Sequence, residues 1–252
     1  MEAAELAAFM MCVCGAGTLL YGHRSPLNTF HFSGVAKSTL MGIAISSGAY
    51  MIIRSPFGRR SGAHFNPALT LGYFWLGRVH RWDALGYIVA QFFGGVAGVF
   101  VSHQLFGTNL ADLPVKYVVT QPGRYGRLVA FLAEFAMSFV LMGVILIVTN
   151  HRQLAKYSPL FVALITIFSY AFSTAISGYS ANPARSFSSA LFAHLWKGIW
   201  IYFAAPSLGM LTAAALYKKF IGTNRIYCAK VFHDLESVCP FDCHFHQLQS
   251  SS

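Results

Sequence analysis

The sequence predicts an all-α membrane protein in which six spanning helices enclose two re-entrant half-helices, arranged as an inverted repeat. Three observations predict it. The chain of 252 residues is 56% hydrophobic and only 10% charged, with a mean hydropathy of +0.53, whereas a soluble domain carries charge on about a quarter of its residues. Six apolar runs, near residues 4–22, 36–53, 83–104, 127–149, 158–178 and 198–219, reach the roughly 20 residues needed to cross hydrocarbon. The stretch Ser61-Gly62-Ala63-His64-Phe65-Asn66-Pro67-Ala68 is echoed by Ser177-Gly178-Tyr179-Ser180-Ala181-Asn182-Pro183-Ala184.

At average residue usage one Asn-Pro-Ala arises by chance in a chain this long with a probability of roughly 0.04, and two far less often. The pair therefore marks a duplication, and Ala4-Glu5-Leu6-Ala7 echoed by Ala133-Glu134-Phe135-Ala136 is a second witness. The two halves run about 1–115 and 116–222 of one domain, with a tail over 223–252. Each copy follows Ser-Gly and opens an apolar run, which suits Asn66 and Asn182 as N-caps and Pro67 and Pro183 as first helical residues. The runs 67–76 and 183–193 are half a span long, and a helix end at mid-membrane is tolerated only around a water-filled cavity or inside protein. Three spans per half invert the second half, so the half-helices enter from opposite faces and their N-termini meet.

With the N-terminus inside, inside segments carry eleven lysines and arginines and outside segments six, with Arg185 set aside. This bias places both termini in the cytoplasm. The net charge of +10 is then membrane-surface chemistry, and a nucleic-acid partner is excluded because no basic soluble domain is present. The first span starts almost at Met1 without a basic leader and reads as a retained helix.

Within the spans, Glu5 and Glu134 are ionisable residues that need a reason in lipid. The reading preferred over a proton relay is that each accepts N–H groups from a half-helix loop. Gly94-x-x-x-Gly98 is a close-packing pattern. The basic stretch 54–60 reads as a cytoplasmic anchor, and His64 as a structural hydrogen-bonder without a carboxylate to orient it for catalysis. No nucleophile–base pair falls inside the spans, which argues against an enzyme. Two helix N-termini at the midplane place positive dipole ends beside one passage, the amides of Asn66 and Asn182 can donate to a passing oxygen, and Arg185 adds a fixed charge with up to five donors.

These residues resemble the aquaporin, or major intrinsic protein, family of membrane channels, from the first-span Ala-Glu through both Asn-Pro-Ala motifs to Pro206-Ser207-Leu208-Gly209. The resemblance implies a right-handed bundle, a homotetramer with a pore in each protomer, no cofactor, and passive conduction of water or small neutral solutes across the lipid bilayer with ions and protons excluded. It implies that Glu5 and Glu134 support the half-helix loops, that His64 lies in the inner vestibule wall, and that Arg185, Tyr179 and Tyr170 form the outer filter. The second-span filter residue is Met41 by local pattern or Ser46 by spacing. Water-strict members usually carry His at the Tyr170 position and a smaller residue at the Tyr179 position. Ser186, Ala190 and Tyr202 resemble the water-selective branch rather than the glycerol-conducting one.

The tail reads as polar and partly flexible, ending in a serine run, yet Cys228, His233, Cys239 and Cys243 collect ligand types that suit zinc, though their spacing matches no standard finger. Two other functions stay open: a facilitator of glycerol, hydrogen peroxide or another small solute, and a coupled secondary transporter, which also uses broken helices in inverted repeats.

Overall fold

The computed structural model describes residues 1–234 and 238–250. In chain order the helices are α1 (Glu2–Tyr21), α2 (Gly34–Arg54), α3 (Pro56–Ser61), α4 (Pro67–Trp75), α5 (Arg81–Phe106), α6 (Thr108–Ala111), α7 (Gly126–Thr149), α8 (Ser158–Ser177), α9 (Pro183–Ala193), α10 (Ile199–Phe220) and α11 (Phe245–Ser250). Among the described residues six helices are long and apolar enough to cross a membrane. Their ends fall within about two residues of the apolar runs, because the length of hydrocarbon fixes the length of the run.

The half-helices α4 and α9 begin where Asn-Pro requires. Asn66 and Asn182 are extended N-caps, and the side-chain oxygen of each accepts the backbone N–H two residues on. Proline fills the first helical position, where a missing N–H leaves nothing unsatisfied. Helix α3 occupies the stretch read as a plain basic anchor. Ser55 caps it by accepting from Gly58 N, Pro56 starts it, and Gly62 ends it at φ +99°, a left-handed conformation that glycine adopts without strain.

The three most extensive helix pairings are α7 with α10, α1 with α5, and α2 with α8. The first two are the same pairing in each half, and the third joins the halves. Close approach depends on absent side chains. A Cβ on Gly94 would lie 2.1 Å from the Ala3 carbonyl oxygen, and one on Gly98 2.5 Å from that of Ala7. Gly209 meets Phe135 in the second half in the same way, at 2.4 Å. Around the bundle Phe93, Phe100, Leu128, Leu132 and Phe172 are exposed, as a lipid-facing surface requires.

Two segments hold more structure than their sequence suggests. The connection 105–126, whose Gly107, Pro114, Pro122 and Gly123 read as a long loop, is not a bare loop, since Val115 and Val118 pack towards Gly17 and Tyr117 is buried. The tail folds back instead of trailing free. Ile226, Cys228, Ala229, Lys230 and Val231 are all buried, because this polar segment hides a run of apolar residues that a composition-wide view averages away. Ser251 and Ser252 of the serine run lie outside the described residues.

Gly94→Ala should lower the melting temperature of the detergent-solubilised protein, by an overpacking penalty of about 1–3 kcal/mol. Gly143→Ala, where nothing lies within 4 Å of the added carbon, should leave it unchanged or raise it. Differential scanning fluorimetry reads both.

Candidate functional site

Each half-helix is preceded by a short loop with left-handed backbone. Gly62, Ala63 and Phe65 have φ of +99°, +57° and +30°, and Gly178, Tyr179 and Ala181 have +78°, +42° and +52°. For the residues other than glycine such backbone costs about 1–3 kcal/mol each, so something must hold it. In the second half it is Glu134. One of its oxygens accepts from Ser180 N at 2.9 Å and Ser177 Oγ at 2.7 Å, and the other from Ala181 N at 2.8 Å.

In the first half that work is divided. Glu2 accepts from His64 N at 3.0 Å and Phe65 N at 2.7 Å, and also from Gln91 Nε2 at 2.6 Å. Glu5 accepts from Ser61 Oγ at 2.6 Å. The loop N–H groups expected on Glu5 are therefore taken by Glu2, one helical turn earlier on the same face. The spacing of three residues between two acids was the available signal.

The loops bring the two half-helix tips together. Asn66 Nδ2 donates to the Ala181 carbonyl at 2.8 Å and Asn182 Nδ2 to the Phe65 carbonyl at 2.8 Å. Each amide oxygen is already held by its own helix, accepting from Ala68 N at 3.0 Å and from Ala184 N at 3.1 Å. The bond to the opposite tip uses one of the two N–H groups on each amide, which leaves the second.

Beside the tips lies a cavity of about 70 Å³, well above the roughly 10–15 Å³ needed to admit a water. Phe9, Ala49, Leu69, Leu141, Ile145 and Val162 give it an apolar wall, while His64, Asn66, Ser180, Asn182 and Arg185 supply polar groups. Arg185 is 1% exposed, yet its Nε and Nη1 have no hydrogen-bond partner among the described residues. A buried guanidinium with bare N–H groups on a cavity is a donor waiting for an oxygen.

Tyr170 and Tyr179 stand against each other edge to face, ring centres 4.9 Å apart, and both line this cavity. Tyr170 also lines a second cavity towards the 107–125 connection, together with Met41, Gly17 and Val118. It thus separates the two spaces. Ser46 is buried, its hydroxyl without a partner among the described residues, and it lines neither cavity, so of the two candidates it is Met41 that shares a cavity with Tyr170.

The sequence matches the family described as Major intrinsic protein over residues 2–217. The chain belongs to this family. It is 32% identical to Aquaporin NIP1-2 of Arabidopsis thaliana over 79% of this chain and 68% of that protein. Against Aquaporin Z of Bradyrhizobium diazoefficiens it is 27% identical over 86% of this chain and 90% of the relative. Its fold resembles the X-ray structure of the aquaglyceroporin from Plasmodium falciparum with a TM-score of 0.69 at 19% identity, covering 89% of this chain and 96% of that one. The protein is accordingly an integral membrane channel of the major intrinsic protein family, passive towards small solutes and not an enzyme.

Within this aquaporin fold the three branch markers sit behind the wall. Tyr202 donates its hydroxyl hydrogen to the Ser177 carbonyl at 2.5 Å, Ser186 Oγ bonds to Thr120 and Ser180, and Ala190 is wholly buried. They shape the second loop and reach the cavity only through it.

His64 is buried, with Nδ1 3.1 Å from Thr70 Oγ1 and Nε2 2.7 Å from the Ala229 carbonyl of the tail. A carbonyl only accepts, so Nε2 carries the proton. The tail beyond the family match brings Cys228, His233, Cys239 and Cys243 together, their ligand atoms all within 4.8 Å of one another. Cys228 Sγ lies 3.4 Å from Cys239 Sγ. The bond from Cys228 holds the Cys239 thiol below a thiol's usual pKa, and the same bond, with burial, pushes Cys228 above it.

Glu2→Gln should destabilise the protein by about 1–3 kcal/mol, because an amide N–H₂ then faces donors from Phe65 or Gln91. Glu5→Gln, which keeps an oxygen for Ser61, should cost less. Paired thermal-unfolding curves in detergent rank the two.

Proposed function

We propose that the channel conducts water, passively and in both directions, and excludes ions and protons, in a homotetramer with both termini in the cytoplasm. The reading is carried by one observation: the crossed asparagine amides and the unpartnered nitrogens of Arg185 line the same water-sized cavity. The two helix N-termini each contribute roughly half a positive elementary charge there, so a cation meets repulsion without the ligands to replace its hydration shell. A water at the tips accepts from the remaining amide hydrogens, which turns its own hydrogens away from the centre and interrupts the chain along which protons hop. Asn66, Pro67, Ala68, Asn182, Pro183 and Ala184 make the tips, Arg185, Tyr179, Tyr170 and Met41 the filter, and His64, Glu2, Glu5 and Glu134 the supports. The surplus of Lys and Arg on the face carrying the termini supports the orientation.

A second reading is conduction of glycerol, hydrogen peroxide or another small neutral solute. The apolar wall of the cavity and the two tyrosine rings that line it suit a molecule with a carbon face, provided the rings move apart. Stopped-flow light scattering on proteoliposomes in chelator-containing buffer separates the readings. Fast osmotic shrinkage without glycerol uptake supports water, and equal glycerol uptake supports the second.

Arg185→Ala should raise glycerol uptake at least severalfold by widening the filter and removing donors. Asn182→Asp, which sets a charge against the Phe65 carbonyl, should admit cations, read as current in planar bilayers. Unchanged solute uptake and conductance in both variants would overturn the site assignment.

A further inference from the structure

The segment 226–233 crosses the mouth of the cavity on the face that carries the chain termini. Val231 is part of the cavity lining and is 2% exposed. Its N–H donates to the Gly62 carbonyl at 2.9 Å, on the first re-entrant loop, and its carbonyl accepts from Ser158 Oγ at 2.6 Å, at the start of α8. The strap is thus pinned to two different elements of the mouth, with an apolar side chain against the lumen between them. Lys230 is buried and bonds to the Arg59 carbonyl, Asp234 pairs with Arg59 at 3.4 Å, and Phe241 stacks on His64 with ring centres 5.6 Å apart.

The four Cys and His side chains bracket this strap. Cys228 and His233 lie three residues before and two after Val231, while Cys239 and Cys243 come from the returning chain. The separations of 3.4 Å between Cys228 and Cys239 sulfurs and 3.0 Å between His233 Nε2 and Cys243 Sγ, within the overall limit of 4.8 Å, straddle the edges of about 3.3–3.8 Å of a tetrahedron with metal bonds of 2.0–2.3 Å. The His233 ring is set by stacking on Phe245 at 4.2 Å, and its buried Nδ1 has no partner among the described residues. Three sulfurs and an imidazole are a soft donor set that selects zinc over magnesium or calcium.

We propose that Cys228, His233, Cys239 and Cys243 form a zinc site that clamps the tail across the inner mouth, so that bound zinc holds Val231 in place and closes the channel. The closure rests on the channel reading above, whereas the metal site does not. The residues that build the clamp lie beyond the stretch matched by the family, so the device is an addition to the shared fold.

The test uses the full chain. Zinc retained after desalting, counted by mass spectrometry of the metal, should be one per chain, and lost in Cys239→Ser/Cys243→Ser. Trypsin should leave Lys230 uncut with zinc and cut it after chelation. In proteoliposomes chelation should raise water permeability severalfold, and added zinc should reverse the rise. Val231→Ser should keep one zinc yet be permeable in its presence, which covers a double variant that fails to fold. Zinc absent from the wild type, or equal in the double variant, overturns the site. Zinc bound with permeability that chelation leaves unchanged but above empty liposomes overturns the closure alone. Permeability released by a thiol reductant instead, with a Cys228–Cys239 disulfide found by peptide mass, overturns the metal in favour of a redox latch. Tail protection and metal binding intact without water flux in any variant sink the channel reading and leave the clamp.

Discussion

The rest of the structure depends on two hydrogen bonds that cross between the halves, from Asn66 to the Ala181 carbonyl and from Asn182 to the Phe65 carbonyl. They force two helix N-termini, which repel as like dipole ends, to sit side by side. Everything around them absorbs that constraint. The left-handed residues aim the loop backbone, the buried carboxylates take the N–H groups so exposed, and the glycines of α5 and α10 let α1 and α7 come close enough to bring the carboxylates in.

The halves solve the same problem with different parts. Glu134 alone does in the second half what Glu2 and Glu5 share in the first. A pairwise match of Ala-Glu motifs could not disclose this, because the second acid in the first half has no counterpart to align with. The fold was legible where one physical quantity governs it: hydrocarbon thickness fixed the spans, and the proline after each asparagine fixed the half-helix starts. The filter was legible in part. Local pattern pointed to Met41 and spacing to Ser46, with Met41 preferred, and of the two it is Met41 that shares a cavity with Tyr170.

The tail was least legible. Its ligand types could be read, but its position rests on contacts such as His64 to Ala229 and Gly62 to Val231, more than 160 residues apart in sequence. No periodicity reports such a pairing. A polar composition with a few buried apolar residues reads like any solvated terminus until the groove that receives it is seen.

The route of the tail also bears on how the protein is made. The Gly62 carbonyl and His64 Nε2 belong to the first repeat, yet their partners are at Val231 and Ala229, downstream of the sixth spanning helix. Until that stretch has been synthesised these groups lack the partners they have in the folded protein, so the loop at the heart of the first repeat is completed only after the second repeat has been made.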